Sequence, residues 1–141
     1  MEYNEITIHT DGGSRGNPGP AAIGVSCDHQ EQNLFEISEF IGETTNNVAE
    51  YTAVIRALQK IQATGIKAKK VLFILDSELI VNQLLGKYKI KDTKLKELNA
   101  LVQHLKSDLK SLGIEFRIKH VLRQENKVAD KLVNSALDSL N

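Results

Sequence analysis

The sequence predicts one α/β domain built on a five-stranded mixed sheet, in which an antiparallel meander of three strands is followed by two parallel strands and helices flank the sheet. Three observations lead to this fold class. Apolar and polar residues alternate in segments up to residue 41, helical spacing begins at residue 47, and an apolar run at 71–75 lies between two helical segments. The resulting order, β-β-β-α-β-α-α-β-α, is typical of a layered α/β fold.

The first three strands are predicted at residues 6–10, 21–27 and 34–41. The first alternates through Ile6 and Ile8, the second is small and apolar, and the third alternates around Ile37. Because only short loops join these segments, we expect an antiparallel meander.

Helical spacing of Tyr51, Val54, Leu58 and Ile61 predicts a helix from residue 47 that stops at Gly65. The continuous apolar run at 71–75 indicates a strand buried on both faces. Further helices are predicted at 77–85, 93–112 and 125–140, and a last strand at 114–118. Helical crossovers of this kind connect parallel strands.

The length and composition indicate a single domain over residues 1–141. Cys27 has no second cysteine to pair with, no charged-then-apolar leader follows Met1, and no apolar run approaches the ~20 residues that cross a bilayer. We therefore expect a cytoplasmic protein without membrane association. We also expect a monomer with no obligate protein partner.

The formal net charge is +0, so overall charge does not indicate a nucleic-acid partner. Basic residues nevertheless form two clusters, one of Lys87, Lys89, Lys91, Lys94 and Lys96, the other of Arg117, Lys119, Arg123, Lys127 and Lys131. Either cluster could contact phosphates. A solvated lysine face is the simpler explanation of each cluster taken alone.

Four acidic residues, Asp11, Glu50, Asp76 and Asp130, each have an ordinary explanation. Asp11 precedes a glycine-rich turn, Glu50 and Asp76 fit helix-capping positions, and Asp130 could pair with a neighbouring lysine. Their joint placement favours another interpretation, because the strands that bring Asp11 and Asp76 often adjoin in such sheets. Converging carboxylates repel unless protons or cations bind, and oxygen-only ligands select Mg2+ or Mn2+.

Other metal and nucleotide sites are not predicted. The four histidines lack the Cys/His spacing of a zinc site, and the segment that begins at Asp11 lacks the acids of an EF-hand loop. The glycine-rich stretch also lacks the Gly-Lys-Ser/Thr ending of a nucleotide-binding P-loop.

Four segments of the chain carry a family resemblance. They are Thr10-Asp-Gly-Gly-Ser-Arg-Gly-Asn-Pro-Gly19, Thr44-Thr-Asn-Asn-Val-Ala-Glu50, Leu75-Asp-Ser-Glu78, and His120 through Glu125-Asn-Lys-Val-Ala-Asp130. In this order and separation they resemble the type 1 ribonuclease H family, to which the retroviral reverse-transcriptase nuclease domain is related. The resemblance covers nearly the whole chain. It implies a ribonuclease H-like fold and an endoribonuclease that hydrolyses the RNA strand of RNA–DNA hybrids by two-metal-ion catalysis, leaving 5′-phosphate and 3′-hydroxyl ends.

The resemblance also implies roles for the acids. Asp11 would bridge two Mg2+ ions, Asp130 would help hold the ion that delivers the attacking water, and Glu50 with Asp76 would hold the other; Mn2+ is a possible substitute. His120 matches a mobile histidine that assists proton movement or product departure, although a surface histidine among basic residues is the alternative.

Contacts to the hybrid are implied in the same way. Residues expected against the RNA sugars are Gly12, Gly13, Ser14, Asn17, Asn46 and Asn47, while Thr45 matches a position that grips a DNA phosphate. Helix capping is the alternative explanation of the two adjacent asparagines.

Two departures from the family pattern change these expectations. Glu78 stands where many members have Gln, and a carboxylate can accept from a 2′-hydroxyl but repels phosphate. The connection 86–93 is too short for the extra helix and basic handle of some bacterial relatives. We therefore expect weaker, more salt-sensitive binding, with Lys87, Lys89 and Lys91 partly replacing the handle.

Two other functions stay open from the sequence. One is a broader nuclease that also cuts duplex RNA, and the other is a non-catalytic hybrid-binding module, because fold alone does not prove activity. The presence of all four acids favours an enzyme.

Overall fold

The computed structural model describes residues 2–140, whose strands and helices follow the predicted order. The strands are β1 (Glu2–Ser14), β2 (Gly19–His29), β3 (Gln32–Thr44), β4 (Lys67–Leu75) and β5 (Glu115–His120). The helices are α1 (Asn46–Thr64), α2 (Glu78–Leu84), α3 (Thr93–Ser111) and α4 (Lys127–Asp138), the last preceded by a 3₁₀ turn at Arg123–Glu125.

The sheet has the strand order β3-β2-β1-β4-β5. Neighbours pair antiparallel from β1 to β3, whereas β4 pairs parallel with both β1 and β5. The predicted fold class, an antiparallel meander followed by two parallel strands, is therefore confirmed.

Strand β1 is longer than the predicted 6–10. Residues Gly12, Gly13 and Ser14 stay paired with β2, so the glycines that we interpreted as turn residues belong to the sheet. Asp11 consequently lies inside β1, opposite Gly24, and the explanation of Asp11 as a turn former is wrong.

Helix α1 covers one face of the sheet and forms the main core. Ile6 and Ile8 of β1 and Phe73 of β4 are completely buried, as are Tyr51 and Val54 of α1. Helix α3 packs against α1 and also contacts β5. The predicted helical spacing thus identifies the face of α1 that packs on the sheet.

Strand β4 departs from the prediction of burial on both faces. Val71, Phe73 and Leu75 are buried, whereas Leu72 and Ile74 on the opposite face are only half-buried. The reason is the position of α4, which packs on β1, β2 and β3.

Helix α4 approaches the sheet closely at Gly24, where a Cβ atom would overlap the carbonyl oxygen of Ala129. Since Gly24 lies opposite Asp11 in the sheet, this contact brings the first turn of α4, which carries Asp130, toward the middle of β1. The predicted start of this helix at residue 125 is wrong, because the 3₁₀ turn occupies 123–125.

The connection from α2 to α3, residues 85–92, contains no helix, as predicted for a chain without the basic handle. Across residues 2–140, none of the helices has the length and apolar character to cross a membrane.

Candidate active site

Three of the predicted acids converge at the carboxyl end of β4. Asp11 comes from β1, Asp76 directly follows the parallel neighbour β4, and Glu50 lies in the second turn of α1. One carboxylate oxygen of each lies within 4.8 Å of the others. Asp130 lies outside this group but lines the same cleft from α4. The structure therefore brings all four predicted acids to one cleft.

Gly12 allows Glu50 to reach this position. A Cβ atom on Gly12 would overlap the backbone of Ala49 and Glu50, so only glycine lets α1 lie this close to β1. The Gly12 amide donates a hydrogen bond of 2.7 Å to Glu50 Oε1. Helix packing and a buried hydrogen bond together fix the Glu50 carboxylate.

The electrostatics of the cleft disfavour ionised carboxylates. Burial, followed by the charges of Asp76 and Asp130, raises the pKa of Asp11 to about 7, despite hydrogen bonds that act in the opposite direction. Burial and the charges of Asp11 and Asp76 likewise raise the pKa of Glu50 well above its usual range. A divalent cation relieves this repulsion, and the oxygen-only donor set fits Mg2+ or Mn2+.

The capping explanations for Glu50 and Asp76 are wrong, because other residues cap these helices. Thr45 Oγ1 accepts from the Val48 amide at the start of α1, and Ser77 Oγ accepts from the Ile80 amide at the start of α2.

Asp130 has an arginine partner instead of the lysines considered from the sequence. Arg123 Nη2 lies 3.7 Å from Asp130 Oδ1, and Arg123 is 82% exposed at its side chain. Among the described residues, the cations that line the cleft are Arg123 and Arg15. Arg15 is held by Asp138 at 2.6 Å, so Arg123 is the more loosely held of the two.

The predicted RNA-contact residues form a network of their own. The backbone amide and the hydroxyl of Ser14 both donate to Asn46 Oδ1, at 2.8 and 3.1 Å. The backbone amide of Asn46 donates to Asn17 Oδ1 at 3.0 Å. The Gly12 amide is likewise paired within the chain, with Glu50, so the amides of Gly12 and Ser14 both donate to side chains of α1. Gly13 and Asn47 line the cleft.

Two further predicted residues, Thr45 and Glu78, do not line the cleft itself. Thr45 lines a neighbouring pocket together with Asn17, Asn47 and Lys94. Glu78 is exposed at the first position of α2, and its Oε1 accepts a 3.4 Å hydrogen bond from the hydroxyl of Tyr88.

His120 is exposed at the end of β5 and is not among the residues that line the cleft. Asn126, a residue without a predicted role, is completely buried beside Asp76 and donates a hydrogen bond to it. Asn126 lies in the last of the four segments that resemble the family, one helical turn before Asp130, and this position could have identified it as a site residue.

Known proteins resemble this chain along most of its length. The profile of a family described as "Reverse transcriptase-like" matches residues 9–136. Ribonuclease H of Halorhodospira halophila is 30% identical over 145 residues, which cover 96% of this chain and 94% of that protein. The structure of LC11-RNase H1, isolated from compost, is 48% identical with a TM-score of 0.86 and covers 97% of this chain and 98% of that one.

The chain belongs to the type 1 ribonuclease H family. The resemblance inferred from four sequence segments is thereby confirmed.

Two further matches to this ribonuclease H chain are a structure with bound hybrid and a longer mycobacterial protein. LC11-RNase H1 is also known in a crystal structure in complex with an RNA/DNA hybrid, and that structure is 47% identical, covers 96% of this chain and 98% of that one, and has a TM-score of 0.88. The Bifunctional protein Rv2228c of Mycobacterium tuberculosis is 38% identical over 138 residues. The chain spans only 36% of that mycobacterial protein.

Proposed function

We propose that this ribonuclease H chain is an endoribonuclease that hydrolyses the RNA strand of RNA–DNA hybrids with two divalent ions, leaving 5′-phosphate and 3′-hydroxyl ends. The observation that carries the proposal is the convergence of three carboxylates within 4.8 Å in an open cleft. The hybrid complex of LC11-RNase H1, at 47% identity, supports the choice of substrate.

Asp11, Glu50, Asp76 and Asp130 would hold the ions, with Mg2+ favoured and Mn2+ a possible substitute. When bound, two such ions activate the attacking water and stabilise the leaving oxygen during in-line displacement at phosphorus. The protein contributes rigid carboxylates. Glu50 is fixed by the Gly12 amide, and Asp11 is ready to release its proton at neutral pH because its pKa is about 7.

Polar groups around the cleft suit a hybrid substrate. The Ser14 hydroxyl and the amide side chain of Asn47 can hydrogen-bond to 2′-hydroxyls, which distinguish RNA from DNA. Thr45 with Lys94 lines the adjoining pocket, which suits a phosphate of the DNA strand. His120, exposed at the end of β5, would assist proton movement or product departure.

Arg123 would supply positive charge to the phosphates of the RNA strand. It reaches the cleft edge and is bound only loosely to Asp130, so it can turn toward an incoming phosphate. This contact offsets the negative charge of the four acids, which repels a polyanion.

The test is cleavage of one end-labelled sequence presented as RNA–DNA hybrid, duplex RNA, single-stranded RNA and duplex DNA, each with Mg2+, Mn2+ or a chelator. Metal-dependent cleavage of the hybrid's RNA strand alone is the expected result. Equal cleavage of duplex RNA would establish the broader nuclease. Hybrid binding without cleavage in either metal would establish the non-catalytic module.

A further inference from the structure

Asn126 immediately precedes α4, at a position where an asparagine side chain commonly accepts a hydrogen bond from the helix backbone. It makes no such capping bond. The side chain is completely buried and points toward the sheet. Its Nδ2 donates to the carbonyl oxygen of Thr10 at 2.9 Å and to Asp76 Oδ2 at 3.0 Å.

The Thr10 carbonyl fixes the orientation of the Asn126 amide. A backbone carbonyl only accepts hydrogen bonds, so the NH2 group must face it, and Asp76 Oδ2 accepts from the same group. This orientation leaves Asn126 Oδ1 buried without a hydrogen-bond partner among residues 2–140. An unpaired buried acceptor costs stability, and the two hydrogen bonds that Nδ2 donates to Thr10 and Asp76 offset that cost.

Asn126 therefore contacts three segments that carry acids into the cleft, which are β1, the end of β4 and the first turn of α4. Thr10 directly precedes Asp11 in β1, and Asp76 is contacted itself. The carbonyl oxygen of Asn126 accepts from the amide of Asp130 at 3.2 Å, which forms the first turn of α4.

We propose that Asn126 is a positioning residue for the metal site, because its NH2 group holds the Asp76 carboxylate in the orientation that faces Asp11 and Glu50. The inference rests on the proposed function in so far as Asp76 is a metal ligand. Groups that orient a ligand in this way commonly change metal affinity or activity by about 10–100-fold when they are removed. Asn126 acts through Asp76 and is not itself a ligand.

The experiment compares wild type with Asn126→Ala and with Asn99→Ala as a matched control. The Asn99 side chain also donates two hydrogen bonds, to the Tyr51 hydroxyl and the Gln83 carbonyl, but it does not line the cleft. Both variants lose a half-buried or buried amide donor, so both are expected to unfold at lower temperature. Only a positioning role predicts a change in metal binding.

Two measurements follow metal binding. Calorimetric titration with Mn2+ in the absence of substrate gives the dissociation constant for Mn2+. Cleavage of hybrid at varied Mg2+ gives the Mg2+ concentration for half-maximal rate. For Asn126→Ala we expect both constants to rise about tenfold or more. The KM for hybrid at saturating Mg2+ should stay within about threefold, and Asn99→Ala should match wild type in all three.

Asn126→Ser keeps one donor and provides a second variant if the alanine variant does not fold; a smaller weakening in the same direction is expected. A folded variant of either kind whose Mn2+ affinity equals that of wild type would overturn the inference. If wild type binds Mn2+ but cuts no hybrid, the proposed function fails while a weakened Asn126 variant still supports the positioning role. If wild type binds no metal, both fail.

Discussion

The amide of Gly12 lies 2.7 Å from Glu50 Oε1, and this hydrogen bond forms because α1 rests directly on the backbone of β1. The contact joins the main-chain neighbour of Asp11 to another acid of the cleft. It therefore couples the packing of a helix to the position of a proposed metal ligand.

Gly12→Ala should destabilise the protein and reduce hybrid cleavage, because its Cβ would overlap the Ala49 backbone and push Glu50 away from the cleft. Overpacking of this kind costs about 1–3 kcal/mol. Urea unfolding measures the loss. Gly13→Ala is the stability control, since its Cβ would meet Val133 Cγ1 at an ordinary 3.7 Å. Equal stability of the two variants would contradict the packing argument.

The metal-free protein should lose stability as pH rises from about 4 to about 7. Burial and the charge of Asp76 raise the pKa of Asp11 from 3.8 to about 7, so between these values the folded state binds more protons than the unfolded state. The free energy of unfolding falls with pH under that condition. Asp11→Asn removes this contribution, so in chelator it should be more stable than wild type above pH 7.

The measurement is urea unfolding of wild type and Asp11→Asn from pH 4 to pH 8 in chelator, followed by addition of Mg2+. The stability advantage of Asp11→Asn should shrink toward pH 4, and Mg2+ should stabilise wild type only. If the difference in unfolding free energy between the two proteins does not vary with pH, ionisation of Asp11 does not destabilise the folded state.

Arg123→Ala should weaken hybrid binding and lower its salt dependence. Each lost phosphate contact reduces the slope of log affinity against log salt by about one. Arg117→Ala is the matched control, because Arg117 lies on β5, pairs with Glu115 and does not line the cleft. Filter binding at several salt concentrations gives the slopes. Identical slopes for the two variants would remove Arg123 from the substrate site.

Replacement of Lys87, Lys89 and Lys91 by alanine should raise KM and flatten the salt dependence of cleavage. All three are exposed in the connection between α2 and α3, where they are expected to contact hybrid phosphates. The control replaces Lys60, Lys67 and Lys69, which are equally exposed. Steady-state cleavage at varied salt measures both effects, and an unchanged KM in the first triple variant would contradict this role.

The element order and the strand directions could be predicted from the sequence, because apolar spacing is a local property of each segment. The pairing of Gly12 and Gly13 in β1 could not, since glycine is frequent in turns and its use here depends on the approach of α1. The half-exposed face of β4 likewise depends on where α4 lies, which no local pattern specifies.

The convergence of the acids was predicted from topology, whereas their partners were not. Thr45 and Ser77 cap the helices that Asn47 and Asp76 were considered to cap. Which residue caps each helix depends on where the backbone enters the helix. Asn126 has the residue type of an N-cap, and only the buried position of its side chain distinguishes it from one.

Catalysis by the acidic cleft is tested by the rate of Mg2+-dependent cleavage of a hybrid's RNA strand by wild type, Asp11→Asn and Asp108→Asn, each shown to be folded. Asp108 lies on α3 near His104 and outside the cleft, so its loss removes the same charge elsewhere. We expect a loss of about 100- to 1,000-fold for Asp11→Asn, as for removal of a central charge-stabilising group, and a rate within about twofold for Asp108→Asn. Cleavage by Asp11→Asn at a rate comparable to wild type would show that Asp11 is not part of the catalytic site.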